Sequence, residues 1–299
     1  MERGERNPAP VPAPLLAAGV TTTLTLVYSA PTPGVGSRYA DTGVSHESRM
    51  LSAVPAREAL AAGGERGVGD TVLAAVRGAL ALGGSAEQRA VAVLAPLARA
   101  AAMGETSSRV LARLGAAETE PFARALELAG DPGPLRGALG LALGGSSGER
   151  RETTLREVMR FTASRDPLAR EYARDYEVTR GLAEPALLSS LSRAESARAS
   201  LVQSYLEVLS EVPDLDIARR AGQQEAEEVS RMARGTLKSG GVHSRRGLQA
   251  VSNLDGILRA DPRLSPTATE PYVISAAFLV SLAYGPDALV ARLRPAAGG

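Results

Sequence analysis

The chain has 299 residues, a formal net charge of +1, no cysteine and two histidines. The lack of cysteine excludes disulfides, thiolate nucleophiles and sulfur-ligated metals, and His46 and His243 are too few for a histidine-based zinc site. A near-neutral balance excludes a dedicated nucleic-acid binder, which is usually far more basic, and the length suffices for one large domain or two small ones.

Met1 to Pro14 is rich in proline and is expected to be disordered. Leu15 to Ala30 is apolar, although within it Thr21 to Tyr28 has strand-like composition. A loop follows, Pro31-Thr32-Pro33-Gly34-Val35-Gly36-Ser37-Arg38-Tyr39-Ala40-Asp41. Its prolines cannot sit inside a helix, and its glycines allow positive φ or close approach of a ligand. Asp70 precedes the periodic run Val72, Leu73, Val76, Leu80, which Gly83-Gly84 closes. Ala90 to Ala102 is apolar nearly all round, as in a central buried helix, with Pro96 as a kink. Ser107 or Ser108 is the expected cap for Val110, Leu111 and Leu114, and Thr119-Glu120-Pro121 opens the run ending at Gly130. Residues 144–153 are the most linker-like stretch.

Thr154 and Glu157 have the spacing of a capping box. Asp166-Pro167 opens the next helix, on which Leu168, Tyr172 and Tyr176 are expected to stack at i, i+4, i+8. Further amphipathic runs cover Leu201 to Leu209, Gly222 to Leu237, Ser244 to Arg259, and Pro271 to Gly285. No sequence motif repeats across them, so an all-α, single-domain multi-helix bundle over 15–295 is expected rather than a solenoid. Val273 to Ala283 is far short of the ~20 residues of a membrane span, which points to a cytoplasmic protein without a membrane partner. The single lysine, Lys238, among 34 basic residues and the two asparagines suit a thermophile or a GC-rich genome equally.

The loop Pro31 to Asp41 resembles the P-K-P-G-N-V-x-R-x-x-D signature of the triphosphoribosyl-dephospho-CoA synthase family (CitG-like), in its archaeal version. The resemblance returns in order at Thr154 to Met159, Arg165 to Tyr172, Asp216 to Gly222 and Ser265 to Thr269. It departs at Thr32, where the family has lysine, at Val35 for asparagine and at Leu26 for a glutamate. At Gly83 to Arg89 only the two glycines of G-G-N-T-N-L-G remain. In the last block Pro271 stands where the aspartate belongs, with Glu270 just before it.

The resemblance implies transfer of the triphosphoribosyl group of ATP, through its ribose C1, to a dephospho-CoA-like acceptor with release of adenine. An oxocarbenium-like transition state needs carboxylates, and the triphosphate needs Mg²⁺ with guanidinium or backbone donors. By motif match Asp41 is the expected metal ligand and acid/base residue, and Glu47 is a second catalytic carboxylate. Thr32, Gly34, Ser37, Arg38, Arg219, Thr267 and Thr269 are the expected substrate-binding residues. Plainer readings stand beside these: Arg219 with Arg220 as a solvated helix face, and Thr267 and Thr269 as caps of the last helix. Glu87 and Glu270 could supply carboxylates from shifted positions. The expected partners are ATP and the acceptor, and a homo-oligomer is compatible with the sequence. The alternative function is a catalytically degenerate relative that binds nucleotide or protein.

Overall fold

The computed structural model describes residues 8–40, 43–144, 153–193 and 196–291; the linker-like stretch expected at 144–153 lies almost wholly outside them. Sixteen α-helices occur among the described residues, and no strand beyond an isolated bridge between Ser37 and Ala40. None of the helices is long and apolar enough to cross a membrane.

Helices α1 (Ala13–Ser29), α2 (His46–Ala61) and α3 (Val68–Ala81) form successive packed pairs. The strand-like stretch 21–28 is the second half of α1, because Val20, Thr23, Leu24, Val27 and Tyr28 make one buried helical face. On α3, Gly78 faces Pro55 of α2, and a Cβ there would come within 2.5 Å of the proline ring. Residues 8–12, expected to be disordered, run extended beside α4 (Gln88–Met103), where Val11 N–H donates to Ala101 O at 2.8 Å.

Next come α5 (Ser107–Ala112), α6 (Thr119–Leu128), α7 (Pro134–Leu143) and α8 (Leu155–Thr162). Thr106, rather than Ser107 or Ser108, caps α5, accepting from Arg109 N–H. The capping box of Thr154 and Glu157 is formed. Asp166 accepts from Leu168 and Ala169 N–H at the start of α9 (Pro167–Ala173). A π-helical turn at Thr179–Ala183 leads into α10 (Glu184–Leu191). The chain closes with α11 (Ala197–Glu211), α12 (Leu215–Arg220), α13 (Gln223–Lys238), α14 (Arg245–Ala260), α15 (Glu270–Tyr284) and α16 (Ala288–Ala291).

The core lies around α4, α11 and α15, and α15 packs against α1, α4, α10 and α11. On α4 every residue from Ala90 to Ala98 is buried, so the proline in its middle sits far from water. Pro96 has no N–H to give the carbonyl four residues earlier. That carbonyl, of Ala92, instead accepts from the Tyr172 hydroxyl at 2.6 Å, while the Tyr176 hydroxyl donates to Val93 O at 2.7 Å.

The three-turn stack expected of Leu168, Tyr172 and Tyr176 is not helical throughout. Helix α9 ends at Ala173, and Asp175 and Tyr176 adopt left-handed φ values of 49° and 61°. This reversal turns the Tyr176 ring into the core. Glu171 is fully buried and accepts from the Val178 and Thr179 N–H groups at 3.1 and 3.2 Å. Burial pushes its carboxyl up to about 7.

Tyr172→Phe keeps the edge contact with Phe122 but strands the Ala92 carbonyl. A loss of about 1–3 kcal/mol in denaturant unfolding is expected; unchanged stability would show that the tyrosine does not complete the proline break.

Candidate functional site

A cleft of about 430 Å³ opens where the N-terminal ends of α4 and α15 meet α12 and the loop before α2. Two ion clusters line it. In the first, Arg49 of α2 is buried and stacks over the Tyr28 ring, 4.0 Å from its centroid. Its guanidinium donates to Glu270 Oε2 at 2.7 Å, to Glu87 Oε2 at 3.4 Å and to Gly36 O at 2.8 Å, and its Nε forms an ion pair with Glu87 Oε1 at 3.3 Å. Glu87, at the start of α4, is a non-glycine residue with φ 36°. The second oxygen of Glu270, Oε1, is buried and has no hydrogen-bond partner. Burial raises the Glu270 carboxyl above its ordinary range, Glu87 adds to this, and Arg49 works against it.

In the second cluster Arg89 of α4 binds Asp131 at 3.4 Å and also Asp216 of α12. Asp216 further accepts from Arg219 at 2.9 Å and from the Thr267 hydroxyl at 2.7 Å. Burial is the largest influence and opposes its charge, but Arg89 together with the hydrogen bonds from Thr267 and Arg219 holds the carboxyl below the usual range. Behind it lie Asp166 and Asp214, each pushed up to about 6 by burial. Arg219 uses one described bond and otherwise faces the opening, whereas Arg220 is spent on Ser265 O, Arg263 O and Thr267. With the helix N-termini of α4 and α15 beside Arg89 and Arg219, this wall favours an anion.

The structure brings Arg219, Thr267, Glu87 and Glu270 to the cleft and leaves several expected residues elsewhere. Asp41, expected as metal ligand and acid/base residue, lies outside the described residues. Glu47 is exposed in the first turn of α2 and does not line the cleft, because the helix turns its buried face, with Arg49, inward. Of the loop, only Val35 and Gly36 reach the cleft wall. Gly34, at φ +72°, is clamped by its own N–H to Asp255 at 2.8 Å and by the Ser265 hydroxyl on its carbonyl at 2.6 Å. Thr32 and Ser37 are buried within the same turn, and Arg38 points to solvent with no described ion pair. Thr269 is buried beneath the cleft floor, donating to Asp214 at 2.8 Å.

Sequence reasoning passed over Arg49, Arg89 and Asp131. Arg89 occupies the last position of the degraded second signature, which was a usable signal; Arg49 had none. Among the described residues no group of three or more His, Cys, Asp or Glu side chains is placed to hold a metal ion, and the cleft carboxylates are each bound by an arginine.

The buried acids give the fold a distinct pH response. Folded, Asp166 and Asp214 keep their protons to about pH 6 and Glu171 to about 7; unfolded, such groups lose them near pH ~4. The folded chain then binds more protons, so these groups' contribution to stability falls as pH rises from about 4 to about 7 and levels off above. Melting temperatures across that range should show the fall, and Asp214→Asn should reduce its slope; an identical slope would contradict the assignment.

With this geometry in place, the chain can be set beside known proteins. Residues 19–292 match the model of the CitG family, described as ATP:dephospho-CoA triphosphoribosyl transferase. A crystal structure from Archaeoglobus fulgidus, provisionally assigned as a triphosphoribosyl-dephospho-CoA synthase, superposes with a TM-score of 0.57 at 19% identity, covering 79% of this chain and 99% of the other. No curated protein matches significantly in sequence. The family model spans nearly the whole helical bundle and both ion clusters of the cleft: this chain belongs to the CitG family.

Proposed function

We propose that the chain transfers the triphosphoribosyl group of ATP to a hydroxyl of a dephospho-CoA-like acceptor, with release of adenine. ATP is taken as its Mg²⁺ complex, the cation arriving on the phosphates as part of the substrate. The acceptor oxygen attacks the ribose C1, the C1–N bond to adenine breaks, and its electron pair leaves with the base. The acceptor proton passes to Glu270, and the departing adenine takes up a proton.

The observation that carries this reading is Glu270. Its carboxyl lines the cleft, is raised by burial and has one oxygen without a partner. A raised carboxyl is a better proton acceptor near neutral pH than an ordinary one. Glu87, held on the same arginine, adds negative charge for an oxocarbenium-like centre. Arg219 is the triphosphate contact best supported, since it lines the cleft and bonds only Asp216 among the described partners.

A second reading, a family member that binds nucleotide without turning it over, is favoured by two features. Every carboxylate of the two clusters that faces the cleft is already paired with an arginine, and Leu26 stands where the family carries a glutamate.

Free adenine should be quantified after incubation with Mg-ATP and dephospho-CoA. Acceptor-dependent adenine is expected, reduced about 10²–10⁴-fold in Glu270→Gln and unchanged in Glu47→Gln. Arg219→Ala should weaken ATP about ten- to a hundredfold through KM, the size of a lost charged hydrogen bond. No adenine, with a melting temperature still raised by Mg-ATP, would decide for the second reading.

A further inference from the structure

Arg49 stands out because nothing local in the sequence predicts it and nothing in the cleft touches more segments. Its three guanidinium nitrogens are all engaged: Nη1 on the loop carbonyl of Gly36, Nε on Glu87, and Nη2 on both Glu87 and Glu270. Tyr28 supports the guanidinium plane from below. The fork thus ties the loop before α2 to the starts of α4 and α15, segments far apart in sequence. Glu87 is itself held in its left-handed conformation with the Ser85 hydroxyl on Oε1 at 2.9 Å.

We propose that Arg49 is a positioning residue for the transfer reaction: by gripping Oε2 of Glu270 it fixes the carboxylate at the cleft wall in the one orientation from which it takes the acceptor proton. The inference rests on the transferase reading above and goes beyond it, since Arg49, with all three guanidinium nitrogens engaged by protein groups, acts through Glu270. The geometry demands arginine. A lysine ammonium offers a point charge and cannot span two carboxylates and a carbonyl in one plane. Among the described residues, the charged and titratable groups that face Glu270 are Tyr28 on α1, Arg49 on α2, Glu87 at the start of α4 and Tyr205 on α11. Arg49 is the one cation among them. It therefore also works against the upward pull of burial and of Glu87 on the Glu270 carboxyl.

The test uses the full chain with Arg49→Lys, Arg49→Gln and Arg49→Gly. Arg49→Gln should lower kcat far more than it changes KM for ATP, and should move the acidic limb of the pH profile to higher pH. Arg49→Lys should keep that limb near its wild-type position yet remain slow. Added guanidinium should restore part of the rate to Arg49→Gly. A merely structural arginine would give neither a shifted limb nor rescue, and either absence would overturn the proposal. Carbon-13 NMR of glutamate-labelled protein, with Glu270→Gln to assign the resonance, gives a readout independent of turnover. The Glu270 titration should move up in Arg49→Gln even if the wild type releases no adenine, in which case the transferase reading fails on its own. An unmoved titration would overturn the role of Arg49.

Discussion

A helix with no face to water has to satisfy its irregularities from inside the protein, and α4 is such a helix. Its middle contains Pro96 and its start carries Glu87 and Arg89, each awkward in a core. The proline is completed by Tyr172, whose hydroxyl takes the place of the missing N–H on the Ala92 carbonyl, with Tyr176 on the next carbonyl. The two charges at the start are completed by partners from other helices: Arg49 for Glu87, and Asp131 with Asp216 for Arg89. Much of the remaining architecture follows from these demands. The chain reverses through left-handed Asp175 and Tyr176 to deliver the second tyrosine, and α12 and α15 are drawn to the N-terminal end of α4 by charge as well as by packing.

The cleft is a product of that assembly. Where α4, α12 and α15 converge, two ion clusters stand beside apolar side chains such as Val35, Pro132, Pro271 and Ile274, and the result is a recess with charged clusters set in a partly apolar wall. Buried pairs of this kind contribute little net stability, since desolvation consumes most of the attraction, while losing one partner is costly. They do fix geometry. Arg49 cannot move without releasing two carboxylates and a loop, and Arg89 cannot move without freeing Asp131 and Asp216. On the cationic side Arg219, held by one described contact, is more exposed than the tightly held Arg89.

The helices were legible because their signals are local. The capping box at Thr154 and Glu157, the Asp166 cap, and the glycine stops after α3 and α6 are read within a few residues, and each is present. Family membership was legible from ordered blocks spread over the chain, even with their signatures eroded. The site was only partly so. Asp216, Thr267 and Arg219 fell within recognisable blocks, and Glu270 was visible as a displaced acid. Arg49 was invisible, because its partners lie 38 and 221 positions away and its own helix gives no hint of them. The loop Pro31 to Ala40 was legible in part, since its Val35 and Gly36 line the cleft. Its glycines suggested a ligand cradle, but Gly34 takes its left-handed turn to pack against Leu258 and Pro266 and to meet Asp255. The docked segment 8–12 and the turn at Tyr176 were missed because tertiary packing overrides what proline content and helical periodicity imply.

The central claim is that the converging ends of α4, α12 and α15 form the nucleotide site. Hydrogen–deuterium exchange of the full chain with and without Mg-ATP tests it most directly. Slowed exchange at residues 85–90, 216–220 and 267–271, with little change at α7 and α8, is the predicted result. Unchanged exchange at those three segments, with protection elsewhere in the bundle, would contradict it.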